Sequence, residues 1–144
     1  MTQNEKDLLI KDLCARLPYG VIVNVKGFDY DYNSKLTQIY NGVGCSIQVT
    51  TNMPYDIEQV KPYLFPLSSM TKEQYEEWCN LEAEPLDEIL TRNSNGEKMS
   101  TLEHHLLIAK SLTDSVNYCY KNHFDIYGLI PMGLANDATG LNIY

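Results

Sequence analysis

Lys35-Leu36-Thr37-Gln38-Ile39-Tyr40-Asn41-Gly42-Val43-Gly44-Cys45-Ser46-Ile47-Gln48-Val49-Thr50-Thr51 reads as two alternating runs joined by a turn signal. In the first run Leu36, Gln38 and Tyr40 share one side, and Thr37 and Ile39 the other. In the second, Cys45, Ile47 and Val49 oppose Ser46, Gln48 and Thr50. A period of two sends successive side chains to opposite faces of a strand. Asn41-Gly42 tolerates the positive φ angles of a type I′ turn, so the stretch is expected to fold as a hairpin. Upstream, Tyr19 to Val25 is dense in β-branched residues (Val21, Ile22, Val23, Val25) and reads as another strand. The linker from Lys26 to Ser34 carries Gly27, Asp29, Asp31 and Asn33. The expectation is an antiparallel meander of three or more strands over residues 19–51.

On the N-terminal side, residues 4–17 read as an amphipathic helix, with Leu9, Ile10, Leu13, Cys14 and Leu17 on one face and Pro18 ending it. On the other side, residues 52–70 hold Pro54, Pro62 and Pro66 and read as an extended connector. Its segment Val60 to Leu67 could add an edge strand, as proline confines a strand to an edge, or cross the sheet as a packed connector. A helical region follows over 71–122. Thr71 with Gln74, and Ser100 with Glu103, have capping-box spacing, in which each side chain satisfies the other residue's backbone N–H. The first helix is expected to reach about Leu81, and Pro85 to open a second short helix, where its missing N–H costs nothing. In the last helix Leu102, Leu106, Ala109, Leu112, Val116 and Cys119 drift along one face for five turns, and Lys121 suits its C-terminal end. The tail over 123–144 is too apolar around Leu129-Ile130-Pro131-Met132 to hang in water and should pack back on the core. The fold class is therefore α+β, as a single domain: an N-terminal helix, an antiparallel meander, a helical C-terminal half and a packed tail.

With 144 residues, 44% apolar and 21% charged, the chain belongs to the globular class. No basic stretch followed by an apolar core opens it, and no run approaches the roughly 20 apolar residues of a membrane span. A cytoplasmic protein without membrane contact is the expectation. Cys14, Cys45, Cys79 and Cys119 stand too far apart for a C-x-x-C zinc loop, and buried free thiols are expected. Charge is uneven: residues 1–70 carry six Lys/Arg against seven Asp/Glu, and residues 71–144 five against twelve. Glu73, Glu76, Glu77, Glu82, Glu84, Asp87 and Glu88 follow one another with no Lys or Arg between them. Nucleic-acid affinity comes from Lys and Arg that release counterions, so direct binding is disfavoured. Such a run is a solvated helix face or a dock for a basic partner, and Glu73, Glu76, Glu77, Glu84 and Glu88 are its candidate contact residues.

Nothing in the chain forms a catalytic, cofactor or metal signature. His104 and His105 are adjacent and point about 100° apart on a helix, so they do not chelate one metal from one face. His123 lies some 27 Å of helix beyond them, and all three are expected at the surface or at a cap. There is no G-x-S-x-G elbow. Gly42-Val43-Gly44 lacks the third glycine and the following helix of a dinucleotide loop. The acidic run also lacks the twelve-residue loop of a calcium site.

Leu13-Cys14-Ala15-Arg16-Leu17-Pro18-Tyr19-Gly20-Val21, Val60-Lys61-Pro62-Tyr63-Leu64-Phe65-Pro66-Leu67-Ser68-Ser69-Met70-Thr71 and Asn122-His123-Phe124-Asp125-Ile126-Tyr127-Gly128-Leu129-Ile130-Pro131-Met132-Gly133-Leu134-Ala135 occur in that order. Together they resemble a family of small uncharacterised proteins of gut anaerobic bacteria and their phages. The chain departs from that family at Phe65 and Gly128, where family members often have Arg. The resemblance implies a phage or mobile-element setting and carries no catalytic residues. The leading expectation is a non-enzymatic protein acting through protein–protein interaction, with homo-oligomerisation left open. The alternatives are a small enzyme assembled by the fold around Tyr63, Ser68, His105 or His123, and an acidic mimic of nucleic acid.

Overall fold

The computed structural model describes residues 1–42, 44–50, 53–97 and 99–144, with side chains described at all of these except 41, 42, 44–46, 82–86 and 93. The chain is α+β, and its contacts gather into two compact units: Met1–Ser69 with Tyr120–Tyr144, and Met70–Cys119.

The first unit is built on a six-stranded sheet. Its strands are β1 (Ile22–Lys26), β2 (Asp31–Gly42), β3 (Gly44–Val49), β4 (Pro54–Asp56), β5 (Val60–Leu64) and β6 (Asn136–Asp137), in the order β4-β3-β2-β1-β5-β6. All neighbours pair antiparallel except β5 and β6. The expected meander is thus present as β1-β2-β3. Asn41 and Gly42 are ladder residues paired with Cys45 and Gly44, not the centre of the turn; position 43 lies outside the described residues. A register shift between Leu36 and Gln38 also changes the expected alternation. One extra residue at a bulge reverses the parity of the strand, so Leu36 and Ile39 both pack on the core rather than on opposite faces.

Helix α1 (Gln3–Arg16) starts on a capping box between Thr2 and Glu5. As expected it stops before Pro18, in a short turn over Leu17–Tyr19 closed by Gly20 at φ 73°. Leu9 and Leu13 of α1 bury against Val21, Val23, Val25, Leu36, Ile47, Val49, Val60 and Leu64 of the sheet. The tail packs back as expected and delivers Leu129, Leu134 and Ala135 to the same core. The connector gives two strands, and β5 lies inside the sheet, not at its edge. The proline restriction still holds locally: β6 pairs only with Tyr63 and Leu64, so Pro62 lies where β5 has a single neighbour.

The second unit is a pair of helices, α2 (Lys72–Ser94) and α3 (Thr101–Lys121, whose last two residues belong to the first unit). Both expected capping boxes form. The Thr71 N–H donates to Gln74 at 2.9 Å and the Gln74 N–H to Thr71 Oγ1 at 3.2 Å. The Ser100 N–H donates to Glu103 at 2.8 Å and the Glu103 N–H to Ser100 Oγ at 3.2 Å. The expected break near Leu81 is absent, because α2 continues through Pro85. A proline inside a helix supplies no N–H to the carbonyl four residues earlier, here that of Leu81. Ser111 of α3 donates its hydroxyl to that carbonyl at 2.9 Å. A side chain from the second helix therefore satisfies the acceptor that the proline leaves open.

Candidate interaction surface

Residues 13–21, 60–69 and 122–135 converge in the sheet unit. Arg16, fully buried, donates to Asp12 through Nε at 2.7 Å and Nη2 at 2.9 Å, and through Nη2 to the Phe124 carbonyl at 2.7 Å. Phe65 N–H donates to the His123 carbonyl, and Asp125 N–H to the Phe65 carbonyl. Asp125 in turn accepts from the N–H groups of Leu129 and Ile130 at 2.8 and 2.9 Å, fixing the tail turn. Burial pushes the Asp12 carboxyl upward, against the opposing pull of the Arg16 bonds. Arg16 also lies 5.1 Å from the Tyr120 ring centre. These contacts tie α1, β5 and the tail together, and a buried, bidentate pair of this kind serves specificity of packing.

Of the two expectations for His123, the surface one is corrected, since only 8% of it is exposed, and the cap one holds: its backbone N–H donates to the Tyr120 carbonyl past the end of α3. It ends α3 with φ 59°, and its ring stacks on Tyr144 at 3.8 Å. Burial first, and the Arg16 charge second, lower its pKa to about 4, so the ring is neutral near neutrality. Tyr144 accepts from the Ile22 N–H and donates to the Tyr63 carbonyl at 2.6 Å. Burial pushes its phenol up to about 12. The Tyr144 hydroxyl is thus engaged on both sides, while His123 Nδ1 is buried with no hydrogen-bond partner among the described residues.

Of the residues considered for a folded enzyme site, Tyr63 donates to Asn33, Ser68 and His105 are exposed, and His123 is buried under Tyr144. A groove of about 720 Å³ runs along α1, lined by Lys6, Asp7, Lys11 and Cys14 against Ile39, Tyr40 and Asp56, and contains none of those four. Its cations already have partners: Lys6 pairs with Glu58 at 2.7 Å, and Lys11 lies 5.2 Å from the Tyr127 ring centre. Cys14 is exposed rather than buried, Cys79 is half-buried and Cys119 buried; the side chain of Cys45 lies outside the described residues. Among the described residues no group of three metal-ligating side chains gathers, and no helix is long and apolar enough to cross a membrane.

The helical unit offers the larger surface. On α2, Glu73, Glu76, Glu77, Asp87 and Glu88 are exposed, while the side chains of Glu82 and Glu84 lie outside the described residues. Glu76 approaches Lys72 at 3.6 Å. Glu77 accepts from the Tyr118 hydroxyl at 2.8 Å, and burial with that carboxylate drives the Tyr118 phenol up to about 12.

The hydrogen bonds of helix α3 give its apolar face a direction. At about 100° per residue, Ser111 and Tyr118 lie about 160–180° from Ala109. Those two residues face α2, through Leu81 and Glu77. The apolar face is consequently turned outward: Leu102 is 67% exposed, Leu106 60%, Leu112 56% and Val116 42%, with Ala109 and Thr113 exposed between them. Of the six residues on that face only Cys119 is buried. Sequence periodicity identified the face, and the hydrogen bonds of Ser111 and Tyr118 decide which way it points. Contiguous apolar surface of this extent marks an interaction site in soluble proteins.

The fold and this surface define an α+β protein with an uncovered helical face. Comparison with family models, curated proteins and solved structures returns no match.

Proposed function

We propose that this chain is a non-enzymatic interaction protein, cytoplasmic and belonging to a phage or mobile element, whose contact surface is the helical unit. The outward apolar stripe of α3 carries this reading, because four large aliphatic side chains stand in water while the helix buries Ser111 and Ser115. A helix with this arrangement gains by covering its apolar face. The acidic side of α2 sets the charge of the protein partner, which is basic at the patch that meets Glu73, Glu76 and Glu88. Charge complementarity of this sort speeds association and weakens as salt screens it.

The test is affinity capture of the tagged chain from cells expressing the element, at low and high salt. Wild type is expected to retain a basic protein at low salt and release it at high salt. The triple reversal Glu73→Lys, Glu76→Lys and Glu88→Lys should lose it. Equal recovery by wild type and the reversed variant, or no partner for a well-folded wild type, would sink the proposal.

A further inference from the structure

Resting on the reading of α3 as a contact surface, we infer that the stripe is covered by a second copy of this chain, with the two α3 helices packed antiparallel. The spacing is self-complementary. Leu102, Leu106, Ala109, Thr113 and Val116 recur at intervals of four, three, four and three, the average 3.5-residue repeat of a two-helix seam, and all five are exposed. Turned antiparallel about a two-fold axis, Leu102 meets Thr113 of the second copy and Leu106 meets Ala109. These two kinds of layer each set a large side chain against a small one, which lets the helices approach and interdigitate, while Val116 falls opposite position 99, ahead of α3.

The charges beside the seam agree with that register. Glu103 and Lys110 occupy equivalent flanking positions one heptad apart, and both are exposed; Glu103 also closes the Ser100 cap and lies 3.7 Å from Arg92, so Lys110 of a second copy would join an existing cluster. In the antiparallel arrangement Glu103 of one copy lies beside Lys110 of the other, twice over by symmetry. A parallel arrangement sets His105 beside Lys110 instead. Ion pairs at flanking positions of this kind select orientation.

The area suits a modest dimer. Leu102, Leu106, Ile108, Leu112 and Val116 are each between 40% and 67% exposed. Of these, Leu102, Leu106, Leu112 and Val116 lie on the seam or its flank; at about 100 Å² each they offer about 400 Å² per copy, or about 800 Å² in total, the size of a weak, concentration-dependent contact. The acidic residues Glu73, Glu76 and Glu88 of α2 are not consumed, because α2 meets α3 through Leu81 and Glu77 on the side away from the seam and through Arg92 at Glu103 on its flank.

Sedimentation velocity on the full chain across a range of about 1–200 μM, bracketing the affinity expected of so small an interface, tests this. Wild type should move from a 16.5 kDa species towards twice that mass as concentration rises. Leu106→Glu should remain monomeric with unchanged far-ultraviolet circular dichroism, since Leu106 is exposed in the single chain. Lys110→Glu should weaken association at least tenfold, and Glu103→Lys added to it should restore association, which no general loss of folding would do. A wild type monomeric throughout, a Leu106→Glu chain that still dimerises, or a Lys110→Glu dimer unaffected by its companion substitution overturns the inference. A monomeric wild type that captures a different protein through Leu106 removes the dimer and leaves the proposed function standing. A dimer that captures nothing else leaves the dimer and removes the basic partner.

Discussion

His123 combines burial, a left-handed backbone and a neutral ring, and each has a consequence for pH. In the unfolded chain the imidazole titrates near 6.5, and in the folded chain near 4. Between those values the unfolded state binds a proton that the native state refuses, so stability falls as pH drops through that window and is complete above it. The loss is on the order of 2 kcal/mol by pH 4, after allowance for solvent screening. His123→Asn, which tolerates the positive φ, should flatten the dependence of the urea midpoint between pH 6.5 and 4. An unchanged slope would assign the pH response to another group. Little of this was legible in the sequence. Asp12 and Arg16 stand four apart on α1, a spacing that reads equally well as a solvent-facing pair. Their burial depends on Phe124, 108 residues away from Arg16, whose carbonyl the guanidinium meets. His123 similarly looked like a terminal histidine, because its cover, Tyr144, comes from the far end of the tail.

At the scale of elements, local signals were readable and long-range ones were not. The capping boxes at Thr71 and Ser100 need only residues three apart, and both are present. Pro85 suits the first turn of a helix as well as it suits none of the interior, so its sequence context read as a new start. The continuation of α2 depends on Ser111, thirty residues beyond Leu81. This coupling is measurable. Ser111→Ala leaves the Leu81 carbonyl without its donor and should cost about 1–2 kcal/mol. Pro85→Ala restores the backbone N–H at position 85, so in that background Ser111→Ala should cost less than half as much. Equal costs in both backgrounds would dissociate Ser111 from the proline. The bulge after Leu36 belongs to the same class, since alternation alone gave no reason to move Ile39 to the core face.

For the molecule as a whole, among the described residues the buried aliphatic side chains belong to the sheet unit, and the only buried apolar side chain of the helical unit is Cys119. Opening free energy follows buried apolar contact, so amides of α2 and the first four turns of α3 should exchange at least tenfold faster than those of β1 and β5. Hydrogen exchange followed by mass spectrometry reads this directly, and uniform protection across both units would contradict it. The α+β class and the packed tail were legible because periodicity and apolar content are properties of the sequence itself. The outward stripe was not, since a repeat tells which side chains share a face and not what lies opposite. That direction is set at Pro85. A proline one position earlier or later would expose a different carbonyl, about 100° around α2. The hydroxyl seeking it would have to come from another angle, and α3 would roll with it. One residue thus acts as the index mark of the hairpin, and its position fixes the rotational phase in which the molecule presents itself to its neighbours.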